Sequence, residues 1–502
     1  MGKGFADLLG YLRSVNDLTA AAEVLEWDQE TYMPSGAAEA RARQLATLRR
    51  EAHLRFTDGR IGMLLRTAAT EVEGLDPLSF EASLVRVAMR DHEKALRLSP
   101  DLVAAIAEST GRARNAWRTA RKEDDFDSFV PYLERVLELT IQKAEALGGG
   151  DCLYDALLDE FEPGMTTNVV HRVFSELRAE LVPLVQVIAE RPEPDDSFLC
   201  QPFDGRAQWD FGMEVLREVG YDFDRGRQDV SAHPFSTSFS ITDVRITTRI
   251  DEDHLPSGLF STLHEAGHAL YEQGIDAGFE GTLLADGTSL GMHESQSRLW
   301  ENQVGRSRAF WKNWYAKLQR TFPDQLQDVE REAFYRAINK VSPSLIRVEA
   351  DEVTYNLHVM LRFELERALV DGGLRVRDLP AAWNAGMEEY LGLQPESNAD
   401  GVLQDIHWSL GAIGYFPTYT LGTLMSAQLY ECALEALSNL EEQIVAGEFQ
   451  ELLMWLRAHV HRHGRTMSAS DILRNATGSF ITASPWLRYV RQKYSEIYGP
   501  LR

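Results

Sequence analysis

Over roughly the first 190 positions, apolar residues recur at steps of three and four with charges between them. SLVRVAMRDHEKALRL (83–98) and HRVFSELRAELVPLVQVIAE (171–190) carry this pattern, which predicts amphipathic helices. MPSG (33–36), GGGD (148–151) and EPGM (162–165) supply the stops between them. The pattern changes between about 197 and 250. FLCQPF (198–203) and HPFSTSFSITDVRITTRI (233–250) are rich in β-branched and aromatic residues, and TDVRITTRI partly alternates, which predicts a small antiparallel sheet of two to four strands. Helical periodicity returns at about 256 with LPSGLFSTLHEAGHALYEQ and lasts to the C-terminus, interrupted by the Gly-rich LGAIGYFPTYTLG (410–422).

No fixed repeat and no low-complexity linker divides the chain. The expectation is a mainly α protein forming one domain over 1–502. It has an N-terminal helical part (1–195), a small β region (196–255) and a second helical part (256–502).

The 502 residues are 44% hydrophobic and 25% charged, ordinary values for a globular chain. Nowhere do about 18 apolar residues run together, and the N-terminus lacks an apolar stretch followed by a small-residue cleavage site. The expectation is a cytoplasmic protein without a membrane partner. The formal net charge of −26 argues against nucleic acid, whose recognition needs clustered Lys and Arg. Cys152, Cys200 and Cys432 form no CxxC pair, which argues against a cysteine-built zinc site.

Candidate chemistry concentrates in HEAGH (264–268). Positions i and i+4 of a helix share a face, so His264 and His268 can present ring nitrogens to one cation. Glu265 stands about 100° around the helix, beside the metal and suited to act as general base on water. A catalytic zinc needs a third protein ligand and an open position. Metzincins would supply a histidine at position 274, and this chain has Gly274 there. Gluzincins supply a glutamate from a second helix, and GTSLGMHESQSRLWENQVG (287–305) offers Glu294, with Glu301 as the alternative two turns later. His293 fits a substrate-facing or supporting role, or a helix cap.

HEAGH with HESQSRLWE (293–301), IRVEAD (346–351), GVLQDIHW (401–408), HPF (233–235) and DVRIT (243–247) resembles the carboxypeptidase Taq family of metallocarboxypeptidases. EWDQETYMPSGA (26–37) and YDALLDEFEPGM (154–165) have the same look, so the resemblance spans essentially the whole chain. It implies a neurolysin-like helical fold with a deep groove and zinc at its floor. It also implies a homodimer and release of single residues from peptide C-termini.

A carboxypeptidase must hold a free carboxylate near the scissile bond, and the planar guanidinium of arginine suits that task. Arg347 is the first choice. Its structural alternative is an ion pair with Asp351, i+4 on one predicted helix. Arg245 either serves the groove or pairs with Asp243. Gln404 is a candidate donor to a peptide carbonyl, and His407 and Tyr415 are candidates for the oxyanion or a substrate amide, with Tyr419 beside them. His233 is placed with the substrate residues, and Asp405 is a candidate to orient His233 or His407. Tyr355 and His358 read as packing on the Arg347 helix.

The expected reaction is zinc-dependent hydrolysis (cobalt being another usable metal) of the C-terminal bond of peptides with a free C-terminus. Two alternatives stay open. One is a neurolysin-like endo-oligopeptidase; the other is a non-enzymatic helical scaffold with structural zinc.

Overall fold

The computed structural model describes residues 2–148 and 152–501. Helices fill most of the chain, with one three-stranded sheet. The N-terminal helical run extends to Ala189 as expected, and the helix Phe126–Leu147 ends at a left-handed Gly148, so most of the GGGD stop lies outside the described residues. A small core joins Phe5, Leu8 and Leu12 to Ile61, Leu65 and Leu84. A much larger one runs from Ala113 to Leu501 and encloses the HExxH helix.

Two expectations for the middle segment are corrected. FLCQPF is not a strand. Ser197–Leu199 is a short 3-10 turn, and Asp204 then caps a helix over Gly205–Val219 by accepting from the Ala207 amide. Leu199 and Phe203 bury in the helical core instead of pairing in a sheet. Nor is the sheet wholly antiparallel. Its order is β1 (Gln228–Val230), β3 (Asp243–Thr248), β2 (Ser236–Ser240), with β2 antiparallel and β1 parallel to β3. The short 231–235 connection reverses the chain past β3, so β1 and β3 run the same way.

The HExxH helix, Leu255–Gln273, begins with Pro256 in its first turn, where a missing amide hydrogen costs nothing. Leu263, Ala266, Ala269 and Leu270 are fully buried, as a helix enclosed by core must be. The side chains of His264 and His268 keep 19% and 17% of their surface, so the face carrying the two histidines is the one that stays open. Gly267 lets this helix touch the next: a Cβ there would lie 2.5 Å from the Gln296 carbonyl oxygen.

Candidate metal centre and carboxylate site

The second wall of the site is the helix Leu290–Arg298, capped by Ser289, whose hydroxyl accepts from the Met292 amide. It presses against the helix Pro417–Ala436 at Gly422, where a Cβ would fall 2.6 Å from that of Glu294. Beyond Arg298 the chain widens into a π-helical stretch, Leu299–Gly305, a local form recurrent at functional sites.

Donor atoms of His264, His268 and Glu294 lie within 4.8 Å of one another and form a group that could hold a metal ion. Glu294 Oε2 is 3.6 Å from His264 Nε2 and 3.7 Å from His268 Nε2. Ligands at 2.0–2.2 Å on a tetrahedral cation stand about 3.4 Å apart, so the spacing fits one ion. The other ring nitrogens are engaged. His264 Nδ1 meets Glu301 Oε2 at 2.9 Å, and His268 Nδ1 meets His293 Nδ1 at 2.8 Å. His293 Nε2 continues to Glu272 Oε1 at 2.6 Å. A proton on His293 Nε2 facing the carboxylate leaves its Nδ1 to accept from His268, and His268 Nε2 then has a free lone pair. The donor set therefore fits a divalent cation in geometry, and one tautomer of each ring leaves its Nε2 free to bind it.

Glu301 stands at the far nitrogen of His264, and His293 between His268 and Glu272. Arg298 binds Glu294 Oε1 at 2.7 Å and Glu301 Oε2 at 3.4 Å. Burial disfavours a charged His264, yet Glu294, Glu301 and Glu265 outweigh it and raise the ring to about 8, whereas burial, and then His293, His264 and Arg298, hold His268 well below the usual histidine range. Glu265 is buried beside the group, and burial pushes its carboxyl up to about 7.

The second group centres on Asp405. Its Oδ1 accepts from Arg347 Nε at 3.1 Å and Nη2 at 2.8 Å, and its Oδ2 accepts from Arg362 Nε at 2.7 Å. Arg347 Nη1 donates to the Tyr355 hydroxyl at 2.8 Å. These bonds use three of the five N–H groups of Arg347 and leave one on each terminal nitrogen. Burial, and then Arg362 and Arg347, push His358 down to about 3; burial also pushes His407 to about 4 against the opposing pull of Asp405. With both rings neutral, two guanidiniums face one carboxylate, and the cluster carries one surplus positive charge. Tyr355 joins it to the metal group, since Arg298 lies over its ring at 4.5 Å.

Several expected placements are corrected. Arg347 is on a 3-10 turn, Arg347–Glu349, outside the helix Tyr355–Val370 that carries Tyr355 and His358, and its partner is Asp405 instead of Asp351. Asp351 starts that helix by accepting from the Val353 and Thr354 amides. Tyr355 is a hydrogen-bond partner of Arg347 as well as a packed ring, and Tyr419 sits on a helix.

Gln404 accepts from the Arg347 amide and Arg362 Nη2 and donates to the Leu345 and Asp400 carbonyls, so both its N–H groups are engaged within the protein. Arg245 pairs side-on with Asp243 at 2.8 Å and lies under Trp27. Asp405 is 3.9 Å from His407 Nδ1, which has no hydrogen-bond partner among the described residues, and the His407 ring packs on Tyr415 and Phe416. His233 is exposed on the loop after β1. Sequence reasoning missed Arg298, Glu272 and Arg362; the one available signal was that Arg298 lies four residues after Glu294.

A family model described as carboxypeptidase Taq (M32) metallopeptidase matches residues 7–494. The chain belongs to that family. Thermostable carboxypeptidase 1 of Thermus thermophilus is 44% identical over 505 residues, covering 99% of both chains. Carboxypeptidase 1 of Bacillus subtilis is 39% identical, covering 99% of this chain and 98% of that one. Among solved structures, an M32 carboxypeptidase from Deinococcus radiodurans has a TM-score of 0.97 at 47% identity, covering 99% of this chain and all of the other. A Pyrococcus furiosus carboxypeptidase has 0.95 at 38%, covering 98% and 99%. The protein is a metallocarboxypeptidase with the mainly helical fold of the carboxypeptidase Taq family. No described helix is long and apolar enough to cross a membrane.

Proposed function

We propose that this carboxypeptidase Taq family member uses zinc, held by His264, His268 and Glu294, to remove single residues from peptide C-termini. When bound, the ion supplies a Lewis acid for the scissile carbonyl and lowers the pKa of water. Glu301 and the His293–Glu272 pair hold the two histidines in the tautomer that keeps each Nε2 lone pair free. Glu265 takes the proton of the attacking water on its carboxylate and returns it to the leaving amine. The raised affinity of this carboxyl for protons suits that exchange near neutrality.

Arg347 holds the substrate's terminal carboxylate with its two uncommitted N–H groups. The observation that carries the exopeptidase reading is the surplus positive charge of Arg347, Arg362 and Asp405, one aromatic ring away from Arg298 and Glu294. Gln404 positions Arg347. His407, Tyr415, Arg245 and His233 face the remainder of the substrate in this reading. His407 is supported by its unpartnered Nδ1, and Arg245 and His233 only by the motifs that carry them. The resemblance adds a homodimer, and the unpaired cysteines are in keeping with the reducing compartment of the cytoplasm.

The test is Glu265→Gln. Metal content is expected to stay at the wild-type level while kcat falls at least a hundredfold, the scale of a lost general base. Hydrolysis at the wild-type rate in that variant contradicts the mechanism.

A further inference from the structure

The segment YDALLDEFEPGM (154–165) belongs to neither group, yet it touches the frame of both. Glu162 is 1% exposed, and its bonds go to neutral donors. Its Oε1 accepts from the Ser289 hydroxyl at 2.8 Å and its Oε2 from the Gly291 amide at 2.9 Å. The Phe161 carbonyl accepts from the Leu290 amide at 3.0 Å. Three consecutive residues at the start of the Glu294 helix are thereby fixed. The fit leaves no spare room, since a Cβ on Gly291 would lie 2.5 Å from Glu162 Oε2.

At the other end, Tyr154 donates to Glu366 Oε2 at 2.7 Å. Glu366, fully buried, also accepts from Trp408 Nε1 at 2.9 Å and the Gly414 amide at 3.0 Å. Gly414 has φ +95°, and a Cβ there would lie 2.8 Å from the Leu157 carbonyl carbon. Between the two ends, the Phe161 ring meets Tyr415 edge-on at 5.2 Å.

We propose that Tyr154–Glu162 is a positioning strap that sets the spacing between metal ligand Glu294 and the loop bearing His407 and Tyr415. This rests on the roles assigned above to those residues. One arm, Phe161 and Glu162, holds the start of the ligand helix. The other, Tyr154 acting through Glu366, holds the Trp408 side chain and the Gly414 amide.

The test uses the full-length enzyme, with zinc affinity measured by chelator competition and kcat and KM measured on a free-acid peptide. Glu162→Ala and Gly291→Ala act on the first arm from opposite sides, so one remains informative should the other fail to fold. Each is expected to weaken zinc binding about tenfold, as loss of outer support does. Tyr154→Phe is expected to raise KM about fivefold with zinc affinity unchanged, the effect of a small misplacement. Values within twofold of wild type on either arm, with only the melting temperature altered, overturn the strap. Glu294→Gln and His407→Ala are the references. If they leave zinc affinity and KM respectively untouched, it is the site assignment that fails.

Discussion

At the metal group, His264, His268 and Glu294 converge beside the carboxylates of Glu301 and Glu265, each with one donor atom tied from behind. At the arginine cluster, Arg347 and Arg362 share Asp405 and leave positive charge over. Both groups are buried, yet neither is neutral within itself. Burial of charge is costly unless partners compensate it, so an unbalanced buried group needs something more than its neighbours to be at ease. In the proposed function, one group is completed by a cation and the other by an anion. A peptide ending in a free carboxylate, bound to a metalloenzyme, supplies that second completion.

The contrast breaks most sharply at Asp405. Asp405→Asn leaves two buried guanidiniums without a counter-charge, and the expected destabilisation is about 3–5 kcal/mol, read as a lower midpoint in denaturant unfolding. A midpoint unchanged from wild type would mean the cluster is not held by that carboxylate. Arg347→Ala is a milder change for the fold, because Asp405 and Arg362 then balance one to one. Its expected cost is in function, a loss of roughly a hundredfold in kcat/KM on free-acid peptides at unaltered metal content. Full activity there would pass carboxylate recognition to another cation, with Arg245 next.

On the metal side, Glu272→Gln removes the charge behind His293. Isothermal titration with zinc is expected to give an affinity about tenfold weaker. Equal affinity would reduce the His268–His293–Glu272 chain to packing.

The two groups also differ in how far they could be read from the sequence. His264, Glu265 and His268 lie within five residues of one helix, so spacing alone brings them together. Glu294 followed because it sits on the next strongly helical segment. The π-helical turn that brings Glu301 to the rear of His264 leaves no mark in the periodicity. The arginine cluster joins residues 347, 362 and 405, and no local rule reaches across those separations. The i+4 rule misled at Arg347–Asp351 because it presumes a helix, whereas Asp351 closes the turn that leads into the one that follows. The same limit applies to the sheet, where alternation marks β3 but nothing local tells that β1 joins it in parallel. Motif resemblance marked Arg347 and Asp405 without saying what they touch, and Asp405, expected to orient His233 or His407, instead joins Arg347 to Arg362.

We propose that a metal centre works beside a receptor for a free carboxylate. This is tested most directly by one comparison on the zinc-loaded wild-type enzyme, following release of the last residue from a peptide and from its C-terminally amidated twin. Rapid release is expected from the free acid, with a kcat/KM at least a hundredfold lower for the amide, the loss of one charged, doubly hydrogen-bonded contact. Equal rates on the two peptides would contradict it.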